Sequence, residues 1–309
     1  MKNLSILSEE DVTQCILKFY NEYIILFSSL QSSLLANLYK RHQSTEKGNI
    51  VLFFTRESQK KILRNKDYDL DFDLSFIKFW ENHGEVDHIK YSISEISLRL
   101  GLPKETTRRN ILQLINQKVL GKEKGITGFL PNENYKNSFR KFTEIEIDKI
   151  LQLIKFIAEK LDFSIDIEKI NKDIRKNFSF YWFHYLGAQI EYLKEWRKNI
   201  KDLDLLLIYY KCKTLYSQKS NFENENKEMN INTELISELT GIPRATCLRK
   251  IEKLLKIDCL DQNKISKRYF VSAETFKKSK IADFEKSARM IRTYCKFYFT
   301  SIKALSYKT

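Results

Sequence analysis

Proline and glycine are both scarce in this chain, three and eight respectively among 309 residues. So few breakers leave room for long helices and exclude the glycine-rich, phosphate-cradling turn of a nucleotide fold. Cysteine is sparse too. Cys15, Cys212, Cys247, Cys259 and Cys295 are odd in number, far apart and without a CxxC pair. That pattern argues against a disulfide framework and for reduced thiols acting as small core groups. Of four histidines only His83 and His88 are close, and their five-residue spacing misses the i, i+4 face of a helical zinc site, so no metal is expected. There is no GxSxG elbow, and no carboxylate pair is set up for acid–base work, so neither catalysis nor a cofactor is expected. The uncharged stretch Tyr23 to Tyr39 is 17 residues long, the short limit for a membrane span, and it carries four serines, Gln31 and Asn37. A buried helix is expected there, and no membrane partner. Ser8-Glu9-Glu10-Asp11 follows the start at once, which does not suit a secretory or transit segment; the expected location is cytoplasmic.

What is present is apolar and basic. Hydrophobic residues make up 42% and aromatics 13%, enough for packed cores in two domains or one composite unit. The net charge of +14 suits an anionic partner without choosing among DNA, RNA and a membrane surface.

Apolar spacing predicts long helices. Ile16, Tyr20, Tyr23, Phe27, Leu30 and Leu34 recur four and three apart, a seam that fits either core packing or dimerisation along a helix running to about Lys40. Residues 41–70 are polar apart from a short apolar segment, Ile50 to Phe54. Leu74, Ile77 and Trp80 place a short helix over Asp73 to His83. Ile147, Ile150, Ile154, Ile157 and Leu161 place a connecting helix over Glu144 to Leu161. Further helices are expected over Phe178 to Lys198, Leu203 to Tyr216 and Ala282 to Leu305, with a polar loop between Gln218 and Asn232. The aromatics Phe178, Tyr181, Trp182, Phe183 and Tyr185 read as core rather than as a base-stacking platform, because they fall in a helical stretch.

One plan occurs twice. ISEISLRLGLPKETTRRNILQLINQKVL, from Ile93, is matched 140 residues later by TELISELTGIPRATCLRKIEKLLKIDCL, from Thr233. Gly101 faces Gly241, Pro103 faces Pro243, Thr106 faces Thr246 and Arg109 faces Arg249. In each copy a short helix, capped in the first by Ser92 or Ser94, ends at the glycine, and the proline opens a second helix. Thr107, Ile111, Leu114 and Ile115 fall inward on that second helix, which leaves Lys104, Thr106, Arg108 and Arg109 outward near its N-terminal end. A hairpin follows: Val119-Leu120 with Thr127 to Leu130 in copy one, and Cys259-Leu260 with Tyr269 to Val271 in copy two.

Both stretches resemble the winged helix-turn-helix domain of bacterial transcription regulators of the GntR and MarR type. The resemblance implies a mainly α fold with two such domains, small β-wings, and long flanking and connecting helices. The expected division is an N-terminal helix and connecting segment over 1–70, winged domains over 71–142 and 201–279 with Asp73 to His83 and Leu203 to Tyr216 as their opening helices, connecting helices over 143–200 and a C-terminal helix over 280–309. It implies that Thr106, Arg108 and Arg109 lie at a DNA groove, with Lys104 at the backbone and Lys122 and Lys124 on the wing. Copy two would use Arg244, Thr246, Arg249, Lys250, Lys267 and Arg268, and it departs from copy one at Leu248, which stands where copy one has Arg108.

Charge favours nucleic acid over scaffolding. Arg99 to Lys124 holds seven basic residues against two acidic, and Arg244 to Arg268 eight against three. Two short segments thus hold most of the net positive charge, the footprint of a phosphate-binding surface. The expected function is a double-stranded DNA-binding transcriptional regulator and not an enzyme, with dimerisation through the terminal helices as a possible assembly. The alternatives are a plasmid-type replication initiator with paired winged domains, or a winged-helix protein–protein scaffold.

Overall fold

A computed structural model of the chain describes residues 9–69, 71–82, 90–123, 126–220 and 231–271. The described residues are mainly helical, with strand confined to two short antiparallel hairpins. In the first half α1 (Glu9–Lys18), α2 (Tyr20–His42), α3 (Thr45–Tyr68) and α4 (Phe76–Asn82) lead into α5 (Ile93–Leu100), α6 (Lys104–Asn116), β1 (Leu120–Glu123) and β2 (Ile126–Phe129). The long α7 (Glu133–Lys160) crosses to the second half. There α8 (Ile167–Lys176), α9 (Phe178–Ile200) and α10 (Leu203–Ser220) lead into α11 (Thr233–Thr240), α12 (Arg244–Lys256), β3 (Asp261–Gln262) and β4 (Tyr269–Phe270).

The duplication reaches well beyond the segments that repeat in sequence. Glu9 and Ile167 open helices of ten residues that Lys18 and Lys176 close; Tyr20 and Phe178 open helices of 23 that His42 and Ile200 close. Each of these pairs stands 158 positions apart. Gln43 and Lys201, the next pair, both turn left-handed, at φ 53° and 56°. A non-glycine residue there costs about 1–2 kcal/mol. Tolerating it twice indicates that the helix-to-helix corner is set by the packing on either side.

Contacts between elements exchange when the halves are exchanged. α2 packs along α10, and α9 packs along α3; α3 supports α6 as α10 supports α12; α5 touches α9 as α11 touches α2. Reciprocity of this kind marks an isologous arrangement about a two-fold axis, here within one chain. The helices α2, α3, α9 and α10 form the shared core. Phe27 of α2 meets Tyr192 of α9 and Tyr210 of α10 edge-on, with ring centres 5.7 and 6.3 Å apart, and the hydroxyls of Tyr192 and Tyr210 are hydrogen-bonded. Leu30, Leu34, Ile50, Val51, Leu206 and Leu207 are buried around them. Full burial of an aliphatic or aromatic side chain contributes about 1.5–3 kcal/mol. Neither half can bury these faces without the other.

Several sequence expectations change. Residues 41–70 are largely α3, a continuous helix opened by Ser44, whose hydroxyl accepts from the Lys47 amide. Its polar residues hid it: Asn49, Thr55, Ser58 and Gln59 are buried because the helix runs through the interior. The helix that supports α6 is α3, not the segment Asp73 to His83, whose helical part α4 packs on α9. On α4, Phe76, Phe79 and Trp80 are buried while Ile77 faces out. The seam expected on one helix runs over two, α1 and α2, which meet at Phe19, and it is filled from within the chain: Ile16 of α1 and Tyr20, Tyr23, Phe27, Leu30 and Leu34 of α2 are all buried, so it offers no surface to a second copy. Among the described residues no helix is long and apolar enough to cross a membrane. The expected helix over 282–305 lies outside the described residues.

Candidate nucleic-acid interface

Each half presents the same helix, turn, helix and hairpin. Ser92 caps α5 in a capping box: its hydroxyl accepts from the Glu95 amide at 3.2 Å, and the Glu95 carboxylate accepts from the Ser92 amide at 2.7 Å. The Ser92 amide and hydroxyl, both donating to the Glu95 carboxylate, hold that carboxyl below the usual carboxylate range. Asn232 caps α11 by accepting from the Leu235 amide at 2.8 Å. Both helices end on glycine in the left-handed region, Gly101 at φ 65° and Gly241 at φ 73°. A serine then locks each turn, with Ser97 donating to the Leu102 carbonyl at 2.6 Å and Ser237 to the Ile242 carbonyl at 2.7 Å. Pro103 and Pro243 start the second helices, where their missing N–H costs nothing.

The inner faces of α6 and α12 are apolar spines, with Ile111 and Leu114 buried in one and Ile251 and Leu254 in the other. The outer faces carry the charge. Lys104, Arg108 and Arg109 are exposed and Thr106 is half-buried; Arg244 and Arg249 are exposed and Thr246 is half-buried. Arg108 is clamped by its neighbour, Nε and Nη2 donating to the two oxygens of Glu105 at 2.9 and 2.7 Å. The pair holds the Glu105 carboxyl below its usual range. An exposed pair one helical turn apart is worth little, so a stronger anion can compete for that arginine. In α12 the corresponding positions are Ala245 and Leu248, and Arg249 donates instead to the Thr246 hydroxyl at 3.3 Å.

Lys250 is the exception. Its ammonium lies 2.5 Å from Asp202 and 3.1 Å from Asp204, and its side chain is only 13% exposed. Burial pulls its pKa down, but the two carboxylates more than offset that and hold it above the usual lysine range. Asp204 also accepts from the Thr45 amide at 2.9 Å, so this lysine closes a junction where α12, the α9–α10 corner and the start of α3 meet. Lys250 therefore docks the second unit and is not part of its outer face. The first unit is docked by a residue the sequence did not single out. Arg197 of α9 donates to Glu46 at 3.2 Å and, through Nη1, to the carbonyl oxygen of Gly101 at 2.8 Å. The first helix-turn-helix is thus tied to the opposite half directly, through Gly101, whereas the second is tied to its own α9–α10 corner, which the Thr45 amide of the opposite half also contacts.

The hairpins differ more. β1 and β2 pair over four positions, Leu120 with Phe129 through Glu123 with Ile126, and Lys122 projects exposed from β1; Lys124 lies outside the described residues. β3 and β4 pair over two, Asp261 with Phe270 and Gln262 with Tyr269. The intervening turn is tied by Asn263, whose side-chain oxygen accepts from the amides of Ile265 and Ser266 at 2.8 and 2.9 Å. Lys267, at φ 56°, is exposed and Arg268 half-buried on the returning limb.

Among the described residues no group of three or more His, Cys, Asp or Glu is placed to hold a metal ion; His83 and His88 lie outside them. Burial pushes the thiols of Cys15 and Cys247 up to about 11, which makes them inert packing groups rather than nucleophiles. Comparison with family models, curated proteins and solved structures returns no match for this chain.

Proposed function

We propose that each half carries a winged helix-turn-helix of the kind found in GntR-type and MarR-type regulators, and that the chain binds double-stranded DNA to regulate transcription. The observation that carries the reading is the pairing of two exposed basic helices, α6 and α12, held on one core by reciprocal contacts between the halves. A homodimeric regulator reaches two half-sites by joining two copies. This chain has two heads already, so a monomer suffices. In the first head Arg108 and Arg109, with Thr106, read base edges, an arginine on guanine being the commonest specific contact. Lys104, Lys122, Lys124, Arg244, Lys267 and Arg268 contact phosphates, which sets affinity without setting sequence. Arg249 and Thr246 carry what reading the second head performs, beside the apolar Leu248.

One observation favours a second reading, a replication initiator acting on short direct repeats. Two unlike heads fixed in one chain read a directional site, whereas identical copies about a two-fold axis read a palindrome. Selection of bound sequences from random DNA tests both. The expected motif has two unlike halves in fixed order, and Arg108→Ala relaxes the half read by α6. Finding the motif in tandem direct repeats beside the gene favours the initiator. A palindromic motif contradicts the two-head reading, and no enrichment at low salt leaves only a protein–protein scaffold.

A further inference from the structure

The guanidinium of Arg41, at the end of α2, has no anionic partner among the described residues. Its carbon lies 5.8, 5.6 and 5.5 Å from the ring centres of Tyr135, Phe139 and Phe142 on α7. Nη2 donates to the carbonyl oxygen of Ser138. Nε and Nη1 are buried and meet no hydrogen-bond acceptor. Burial accordingly pulls its pKa below the usual arginine range. The three rings offset part of the cost of desolvating the charge, since each ring centre lies within cation–π range of the guanidinium. The remainder calls for a counter-charge.

Beside Arg41 a groove of about 420 Å³ runs between α2 and the first turns of α7. Arg41 and Lys141 supply positive charge to it, Asn134 and Asn137 supply amide donors, and Phe142 with Ile145 forms an apolar wall. Ile145 is 47% exposed, unusual for an isoleucine on a helix whose other isoleucines, Ile147, Ile150, Ile154 and Ile157, are buried. Cations at one end, donors along the side and an apolar wall match the common plan of small-molecule sites, and the volume lies within their range. The duplication does not repeat its central cation: the position equivalent to Arg41, 158 residues on, is the uncharged Asn199.

We propose that this groove binds a small organic anion, a carboxylate or phosphate monoester on a flat apolar body, with its charge on Arg41 and Lys141 and its body against Phe142 and Ile145. A guanidinium suits both anions because its donors lie in one plane. The site reaches the first hairpin through Tyr135, whose ring lies edge-on to Phe129 of β2 at 6.2 Å and whose hydroxyl is bonded to His42 Nε2 at 3.0 Å. An occupant there stiffens the start of α7 beneath that hairpin.

Titration calorimetry on the full chain tests the proposal without DNA, so its outcome is independent of the DNA-binding reading. Benzoate and phenyl phosphate are the anionic probes and benzamide the neutral one. Saturable binding of at least one anion is expected, with none of benzamide, and the tighter of the two identifies the acid. Arg41→Gln abolishes binding. Lys141→Gln, at an exposed position, weakens it about tenfold, the worth of one charge-assisted hydrogen bond. If Arg41→Gln does not fold, as judged by circular dichroism, Lys141→Gln and Ile145→Asp carry the test. No saturable binding of either anion, equal binding of benzamide, or no effect of Lys141→Gln and Ile145→Asp overturns the proposal.

Discussion

Set side by side, α6 and α12 have the same spine and unlike outer faces. Ile111 matches Ile251, Leu114 matches Leu254, and buried Thr107 matches buried Cys247. Outward, Glu105 becomes Ala245 and Arg108 becomes Leu248, while Asn110, buried in the first head, becomes the ion-paired Lys250 in the second. Packing against a supporting helix, α3 or α10, constrains the first set in the same way twice. Nothing in the core constrains the exposed positions 105 and 108 or their counterparts 245 and 248, whereas Asn110 and Lys250 answer to the different junctions they fill. The lesson is that one backbone was kept for docking while the two surfaces were adapted separately, the first to a salt-bridged arginine pair and the second to a partly apolar face.

The comparison breaks first if the spines are not equivalent. Leu114→Ala and Leu254→Ala should each cost about 2–5 kcal/mol in urea unfolding, the range for a buried leucine cut to alanine. Because the halves share α2, α3, α9 and α10, each variant should keep a single transition. Two separate transitions, or a loss in only one variant, would deny a common core.

Next comes α7, which has no counterpart among the described residues. Its Glu146 is buried and accepts from the Tyr185 hydroxyl of α9. Burial pushes this carboxyl up to about 8. A carboxyl with its folded value raised from 4.5 contributes stability that is present at low pH and lost as pH rises toward 8. Relative to Glu146→Gln, the wild-type chain should therefore lose about 3 kcal/mol of stability between about pH 5 and pH 8. Taking the difference cancels His42, whose pKa burial lowers to about 3 and which works in the opposite sense. Parallel stability curves for the two proteins would show that the carboxyl is not buried as described.

The smallest effect separates the docking devices. Lys250→Ala leaves Asp202 and Asp204 without their cation and should cost about 2 kcal/mol, whereas Asn110→Ala at the matching position should cost under about 1 kcal/mol. Thermal midpoints of the two variants check this. Equal shifts would mean that Lys250 is ordinary surface.

Much of this was legible in the residues themselves. The glycine turns, the inward spines, the Ser92 cap, four of the five α9 aromatics read as core (Phe183 is half-buried under Arg56) and α10 follow from local signals: positive φ at Gly101 and Gly241, apolar spacing, and a capping serine. What escaped was set by tertiary context. The helix α3 carries buried polar residues along its length and so shows no clear apolar period, whereas α8 does show one, Ile167, Ile170 and Ile174 standing three and four apart, but over only ten residues crowded with charge. The seam on α2 was rightly apolar, but sequence cannot say whether the covering helix belongs to the same chain. Lys250 looked like Lys104 because its partners, Asp202 and Asp204, lie 48 and 46 positions away. Arg197 gave no local sign at all, since its role depends on a carbonyl in the other half.

The most direct measurement is a fluorescence-anisotropy titration of a mixed-sequence duplex over a range of salt concentrations, comparing the wild-type chain with a Lys104→Ala, Lys122→Ala, Arg244→Ala, Lys267→Ala variant. Two basic heads on one core predict tight binding at low salt, a steep fall with added salt, and a slope reduced in the variant by about 3–4, close to one released counterion per lost phosphate contact. A wild-type chain that does not bind at low salt, or a variant with an unchanged slope, would contradict the account.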